Sequence, residues 1–256
     1  MYYQRKQIRE NAKIYTKRNF LRLVPYALFY ALPVFLTYLV NLSPLNTIET
    51  TILGFTIALL LYPLSRIGVA NAILRLWNEQ RLQGADLLIA VSTPKRYAKA
   101  ILLCFAESGL AWLISFFPGA WLIIPTLAAQ VFAVFFSFVP FLFSRNPEAR
   151  AIDLIKESFR RMYRFFWQWY GVVIRASKWI IISAPILFVL SMFGIYLYTG
   201  ETMLGGYLYL AMLFTYIPIV PLCVPYYLLA TTGFVNDQVL TAGQPNPQAE
   251  DASQSN

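Results

Sequence analysis

Residues 100–143 read AILLCFAESGLAWLISFFPGAWLIIPTLAAQVFAVFFSFVPFLF, an apolar run that contains a single charged residue, Glu107. A helix needs about 20 apolar residues to cross a bilayer core, so this run is too long for one crossing. Phe117-Pro118-Gly119 supplies a Pro-Gly turn near its middle. The stretch therefore reads as two helices, 98–117 and 120–143, joined in a tight hairpin. Four further segments have the same character: 21–41, 50–69, 171–198 and 205–234. The expected fold is all-α, a polytopic membrane helix bundle of six transmembrane helices. The second span ends near Arg66, and the run Ile67–Trp77 is expected to continue it as an interfacial helix.

Composition agrees. Of the 256 residues, 58% are hydrophobic and only 13% charged, and the mean hydropathy is +0.54. A soluble domain carries about 25% charged residues, so this chain lacks the polar surface of a water-soluble globule. It also has no histidine, which removes histidine-based triads and zinc–histidine chemistry. No Walker, GxGxxG, GxSxG, HExxH or CxxC motif is present. Cys104 and Cys223 lie inside apolar runs and read as small hydrophobes. The expectation is a protein without enzymatic activity, cofactor or metal.

The formal net charge is +9, and its distribution sets the threading. Of the 21 Lys and Arg residues, 18 fall in three clusters: Arg5–Arg22, Arg75–Lys99 and Arg145–Arg164. Each borders a membrane-length apolar run, which is the positive-inside pattern and not a nucleic-acid-binding face. With a cytoplasmic N-terminus, all three fall inside. The exterior loops (42–49, the turn near 118, and 199–204) then carry no Lys or Arg, while Glu49 and Glu201 lie in two of them. The N-terminal stretch lacks a small-residue cleavage site and is expected to remain as the first span. Residues 241–256, rich in Gln, Asn, Ser and Ala, read as a disordered cytoplasmic tail.

The clusters are themselves periodic. Ala149, Ile152, Ile155, Phe159, Met162 and Phe166 make one apolar face with basic residues around it, and Ile8, Ala12 and Tyr15 make a shorter one. Such amphipathic surface helices lie in the headgroup layer or pack on the ends of their own spans. Ile8-Arg9-Glu10-Asn11-Ala12-Lys13 parallels Ile155-Lys156-Glu157-Ser158-Phe159-Arg160. One six-span domain, 1–240, thus parses into three helix-plus-hairpin units, 1–70, 71–143 and 144–236.

Few residues offer chemistry. Glu107 is the one acid deep in a span, where an ionised carboxylate is costly unless paired or facing a cavity. Arg66 is its cationic partner by depth. Pro218, Pro221 and Pro225 remove backbone donors from the sixth span and mark a candidate broken helix of the kind that lines transport sites. Arg160, Arg161, Arg164, Arg175 and Lys178 are candidate lipid-headgroup contacts, the last two snorkelling from the start of the fifth span. Phe165, Phe166, Trp167, Trp169 and Tyr170 read as an interfacial aromatic belt.

The Pro-Gly turn at 118–119, the following span, Asn146-Pro147, Ala151-Ile152, Ile155-Lys156-Glu157-Ser158 and Arg161-Met162 together resemble the signature region of a bacterial family. That family is the domain-of-unknown-function family numbered 975, polytopic integral membrane proteins. Ile8-Arg9-Glu10-Asn11-Ala12-Lys13 resembles its opening helix, and the likeness spans roughly residues 5–238. The proline cluster of the sixth span departs from the family pattern. The resemblance implies a multi-pass protein of the bacterial cytoplasmic membrane and carries no assigned site residues. A distant similarity to the membrane domain of some glycerophosphodiester phosphodiesterases implies an accessory role near lipid metabolism. The leading expectation is a scaffold or accessory protein acting on anionic lipid or a membrane-protein partner at the cytoplasmic leaflet. The alternative is a small transporter or channel built on Glu107 and the sixth helix.

Overall fold

The computed structural model describes residues 2–41, 47–114, 131–132, 134–199 and 206–240. Among these there are helices and no strands. Helix α1 runs Tyr2–Asn41, α2 Thr47–Pro63, α3 Val69–Trp77, α4 Pro94–Ile114, α5 Val139–Arg145, α6 Ala151–Thr199 and α7 Gly206–Phe234. A π-helical turn, Leu64–Gly68, splices α2 to α3, and another, Val235–Leu240, ends α7. A 3₁₀ helix, Gly84–Val91, lies between α3 and α4. Lys6–Leu36, Ile52–Trp77, Ala151–Leu187 and Ile219–Leu240 are each long and apolar enough to cross a bilayer. Helix answers the apolar solvent, because each backbone donor finds its acceptor within the segment. The turn at Pro118-Gly119, the first part of the expected fourth span, Glu201 and the tail 241–256 lie outside the described residues. Glu49 falls in the first turn of α2 and not in a loop.

Helix α7 is the central element, with α1 and α6 packed along it. One apolar cluster joins Phe136, Phe138, Phe143, Met162, Phe165, Trp169 and Phe234. The other joins Leu23, Ala27, Ile73, Trp77, Leu228 and Leu229. Leu21, Leu60, Leu102, Ile182, Val189 and Leu222 are exposed on the outside, as expected where hydrocarbon replaces water.

The two long helices treat their amphipathic segments differently. In α1 the backbone leaves helical geometry at Asn19 (φ −117°, ψ 17°). The Thr16 hydroxyl donates to the Ala12 carbonyl at 2.7 Å and the Asn19 amide to the Tyr15 carbonyl at 3.3 Å, so both side chains compete for backbone acceptors at the joint. The segment before it packs inward, with Ile8 and Ala12 buried. In α6 no joint exists. The sequence from Ala151 to Ala184 holds no proline and one glycine, Gly171, and the 49-residue helix runs unbroken for about 73 Å. Its amphipathic segment is therefore continuous with the apolar segment that follows and not a separate helix. The buried stripe is also rotated from the expected face: it follows Leu154, Ser158, Met162, Phe165, Trp169, Val172 and Ala176, while Ile152 is exposed. The cause is the neighbouring segment, since Ser158 donates to the Phe135 carbonyl at 2.6 Å and Phe159 packs edge-on to Phe132 and Phe136. Phe165 and Trp169 consequently belong to the core. Only Trp167 and Tyr170 of the expected belt are exposed, joined by Tyr163.

Two further expectations are corrected. Helix α7 is continuous through Pro218, Pro221 and Pro225. The spacing places the three positions on one side of the helix, and Pro225 is buried there. The irregular turn comes later, at Val235–Leu240. The run Ile67–Trp77 does not lie on the surface of the bundle: Ile67, Val69, Ala72 and Ile73 are within 1% of full burial. Two glycines permit this. A Cβ on Gly68 would collide with the Leu87 carbonyl and lie 2.9 Å from the Leu87 Cα, and one on Gly233 would lie 2.5 Å from the Trp77 ring. Trp77 Nε1 donates to Asp237 at 3.0 Å, fixing the ring over that glycine.

The three basic clusters share one end of the bundle. Arg18 and Arg22 line a groove with Arg81. Arg96 pairs with Glu148, and Lys99 donates to the Ala149 carbonyl at 2.7 Å. Arg145 donates to the Leu240 carbonyl at 2.7 Å and Arg161 to that of Val239, satisfying the orphan acceptors at the end of α7.

Gly68→Ala is expected to cost about 1–3 kcal/mol of overpacking, because its obstacle is backbone. Gly233→Ala is expected to do the same unless Trp77 moves. Thermal unfolding of the purified protein in detergent checks both. The Arg96 guanidinium holds the Glu148 carboxyl below the usual carboxylate range. Stability from a depressed carboxyl is present above its unfolded value, about 4.3, and is lost as pH falls through the lower folded value. Melting curves of wild type and Glu148→Gln should differ slightly at neutral pH and converge in acid.

Candidate functional site

The splice between α2 and α3 brings Arg66 into the bundle. It occupies the middle of the π-helical turn, and Gly68 lets that turn lie against the Gly84–Val91 helix. Arg66 donates to the Tyr30 hydroxyl of α1, with its guanidinium carbon 4.7 Å from the centre of the Tyr30 ring. Glu107, on α4, faces the same space. The two charged groups line a cavity of about 80 Å³ with Tyr30, Ser137, Tyr227, Thr231 and Thr232, closed on the apolar side by Phe136, Phe141 and Trp169.

Arg66 and Glu107 are thus brought together, as their depths implied, but not as a contact pair. Among the described residues, the Glu107 carboxylate takes no hydrogen bond and forms no direct ion pair. The Thr231 hydroxyl is turned to its own helix, donating to the Tyr227 carbonyl at 2.8 Å. Tyr30, Tyr227 and Thr232 escaped the sequence reading. A tyrosine or threonine in an aromatic-rich span carries no signal until the packing shows which way it faces.

Pro221 and Pro225 precede the cavity-lining stretch of α7 without lining it. The five candidate headgroup contacts divide. Arg160 and Arg161 both pair with Glu157, and Arg161 also holds the end of α7, so its role is structural. Arg164 lies with its guanidinium carbon 5.5 Å from the Phe165 ring centre. Arg175 and Lys178 instead line a groove of about 610 Å³ whose opposite wall is Arg9, Glu10 and Lys13 of α1. Trp179, Leu222, Cys223 and Tyr226 complete it, and Lys178 Nζ lies 4.9 Å from the centre of a Trp179 ring. Glu10 is engaged by Lys13 at 2.8 Å. Arg9 and Lys13 were visible only as members of a cluster; their alignment with α6 depends on the packing of α1.

Comparison with protein-family models, curated proteins and solved structures found no match.

A carboxylate kept in an apolar bundle without a contact partner costs stability, whereas one that fixes helix packing contributes it. Glu107→Gln and Glu107→Leu are therefore expected to leave the unfolding midpoint unchanged or raise it, by up to about 1 kcal/mol equivalent. A loss of about 2 kcal/mol or more in both variants would assign Glu107 to packing.

Proposed function

We propose that this chain is a six-span integral protein of the bacterial cytoplasmic membrane that engages anionic lipid at its cytoplasmic leaflet. On this reading it is a non-enzymatic scaffold or accessory protein, in keeping with its resemblance to the domain-of-unknown-function family numbered 975. Both termini are cytoplasmic, and the basic end is the cytoplasmic one. The observation that carries the reading is the groove between α1 and α6. It holds Arg9, Lys13, Arg175 and Lys178 on facing walls, beside Trp179 and Leu222, which are 58% and 64% exposed. Cations flanked by outward-facing apolar side chains suit a ligand with an anionic head and hydrocarbon tails. A soluble polyanion has no use for the apolar flank.

Each basic side chain near an anionic surface contributes about 1 kcal/mol. Removing two, as Arg175→Gln with Lys178→Gln, should weaken retention of phosphatidylglycerol over phosphatidylcholine by roughly thirtyfold. Native mass spectrometry of protein taken from mixed nanodiscs reads this directly. Arg160→Gln, outside the groove, should change little. No preference for the anionic lipid in the wild type would end the lipid reading.

A second reading, a small transporter or channel, is favoured by the polar cavity reaching Glu107. Proton flux into proteoliposomes loaded with a pH-sensitive dye tests it; rates equal to those of empty vesicles would remove it.

A further inference from the structure

The groove that holds Arg18, Arg22 and Arg81 differs in kind from the one between α1 and α6. It encloses about 680 Å³, and apart from Leu76 and Leu82 every side chain lining it carries a polar group. Those two leucines are buried and half-buried, so the walls offer no outward apolar flank such as Trp179 and Leu222 give the other groove. All three arginines are exposed, and among the described residues none of their guanidiniums makes a hydrogen bond, ion pair or ring contact. The acid in their midst does not engage them. Glu79 sits just past the end of α3 in left-handed backbone (φ 59°), where a residue other than glycine is strained. Its carboxylate accepts the Tyr15 hydroxyl at 3.0 Å and pairs with no arginine. The groove is therefore left with two positive charges in excess. A guanidinium presents a planar fork of donors that matches two oxygens of one phosphate. Three such forks, two from α1 and one from the segment after α3, suit an anion with more than one phosphoryl group. The volume lies within the range of organic-ligand pockets, about 300–1,000 Å³, and exceeds what an inorganic phosphate fills. A carboxylate, which repels phosphate, still accepts a hydroxyl, as Glu79 does from Tyr15.

We propose that this groove binds a water-soluble organic diphosphate of nucleotide size. Arg18, Arg22 and Arg81 meet the phosphate oxygens, and Glu79 meets a hydroxyl of the organic part. The site requires neither the lipid reading nor the transport reading.

Equilibrium dialysis of radiolabelled ADP against the purified protein in neutral detergent, at low salt and without divalent cations, tests it. Saturable binding is expected, displaced by pyrophosphate and not by adenosine. Arg18→Gln and Arg81→Gln should each weaken it tenfold or more. Arg175→Gln with Lys178→Gln, in the other groove, should leave it unchanged. The wild-type displacement series decides the matter if the Arg18 and Arg81 variants fail to fold. Absence of saturable binding to folded wild-type protein overturns the proposal. So does displacement by adenosine as strong as by pyrophosphate, or full affinity in both folded arginine variants. Loss of binding in the Arg175 and Lys178 variant, or displacement of the label by micellar phosphatidylglycerol, would assign the phosphate chemistry to a lipid headgroup and overturn it as well.

Discussion

The structure depends on Trp77 lying over Gly233. That contact draws α3 onto α7 so closely that no side chain fits between the ring and the backbone, and the indole nitrogen is fixed by Asp237 on the turn beyond. Tyr15 packs on the same ring, at 5.5 Å between centres, and donates to Glu79 just past the end of α3. Three chain segments far apart in sequence therefore meet at one indole. The position of α3 in turn sets that of the π-helical turn before it, and with it where Arg66 enters the bundle. The polar cavity is thus a consequence of packing at the basic end.

Much of the fold was legible because the bilayer demands it. Long apolar runs and basic clusters between them express length and solvation constraints that act through composition alone. The helices follow from these, and so does the gathering of the basic clusters at one end. What failed was local. Ile152 repeats with the correct period but faces outward, because the rotation of α6 is chosen by Phe135, Phe136 and Ser158. The three prolines of α7 satisfy every criterion for a break, yet the helix continues through them. Ile67–Trp77 looked interfacial because composition does not show what two glycines, Gly68 within the run and Gly233 on α7, allow to approach.

The site was legible in part, along the same division. Glu107 stood out through energetics, since a lone acid in an apolar span is expensive wherever it lies. Arg66 followed from depth. The hydroxyl groups around them did not, and neither did the partition of the basic residues into those that hold the protein together and those that face outward. Arg145 and Arg161 share composition and neighbourhood with Arg175 and Lys178. The first two serve carbonyls at the end of α7, whereas the second two face a groove. A charge count along the sequence cannot separate a helix cap from a ligand contact, because both stand at the end of an apolar run.

The contrast between the jointed α1 and the unbroken α6 bears on the basic groove, because each helix supplies one of its walls. Arg175 and Lys178 ride on a continuous rod whose position is fixed along its length by α7. Arg9 and Lys13 ride on a short arm that departs from the rest of α1 at Asn19. The two walls of the groove are therefore held by different means, one by a continuous helix packed on α7 and the other by the burial of Ile8 and Ala12 on an arm set off at Asn19.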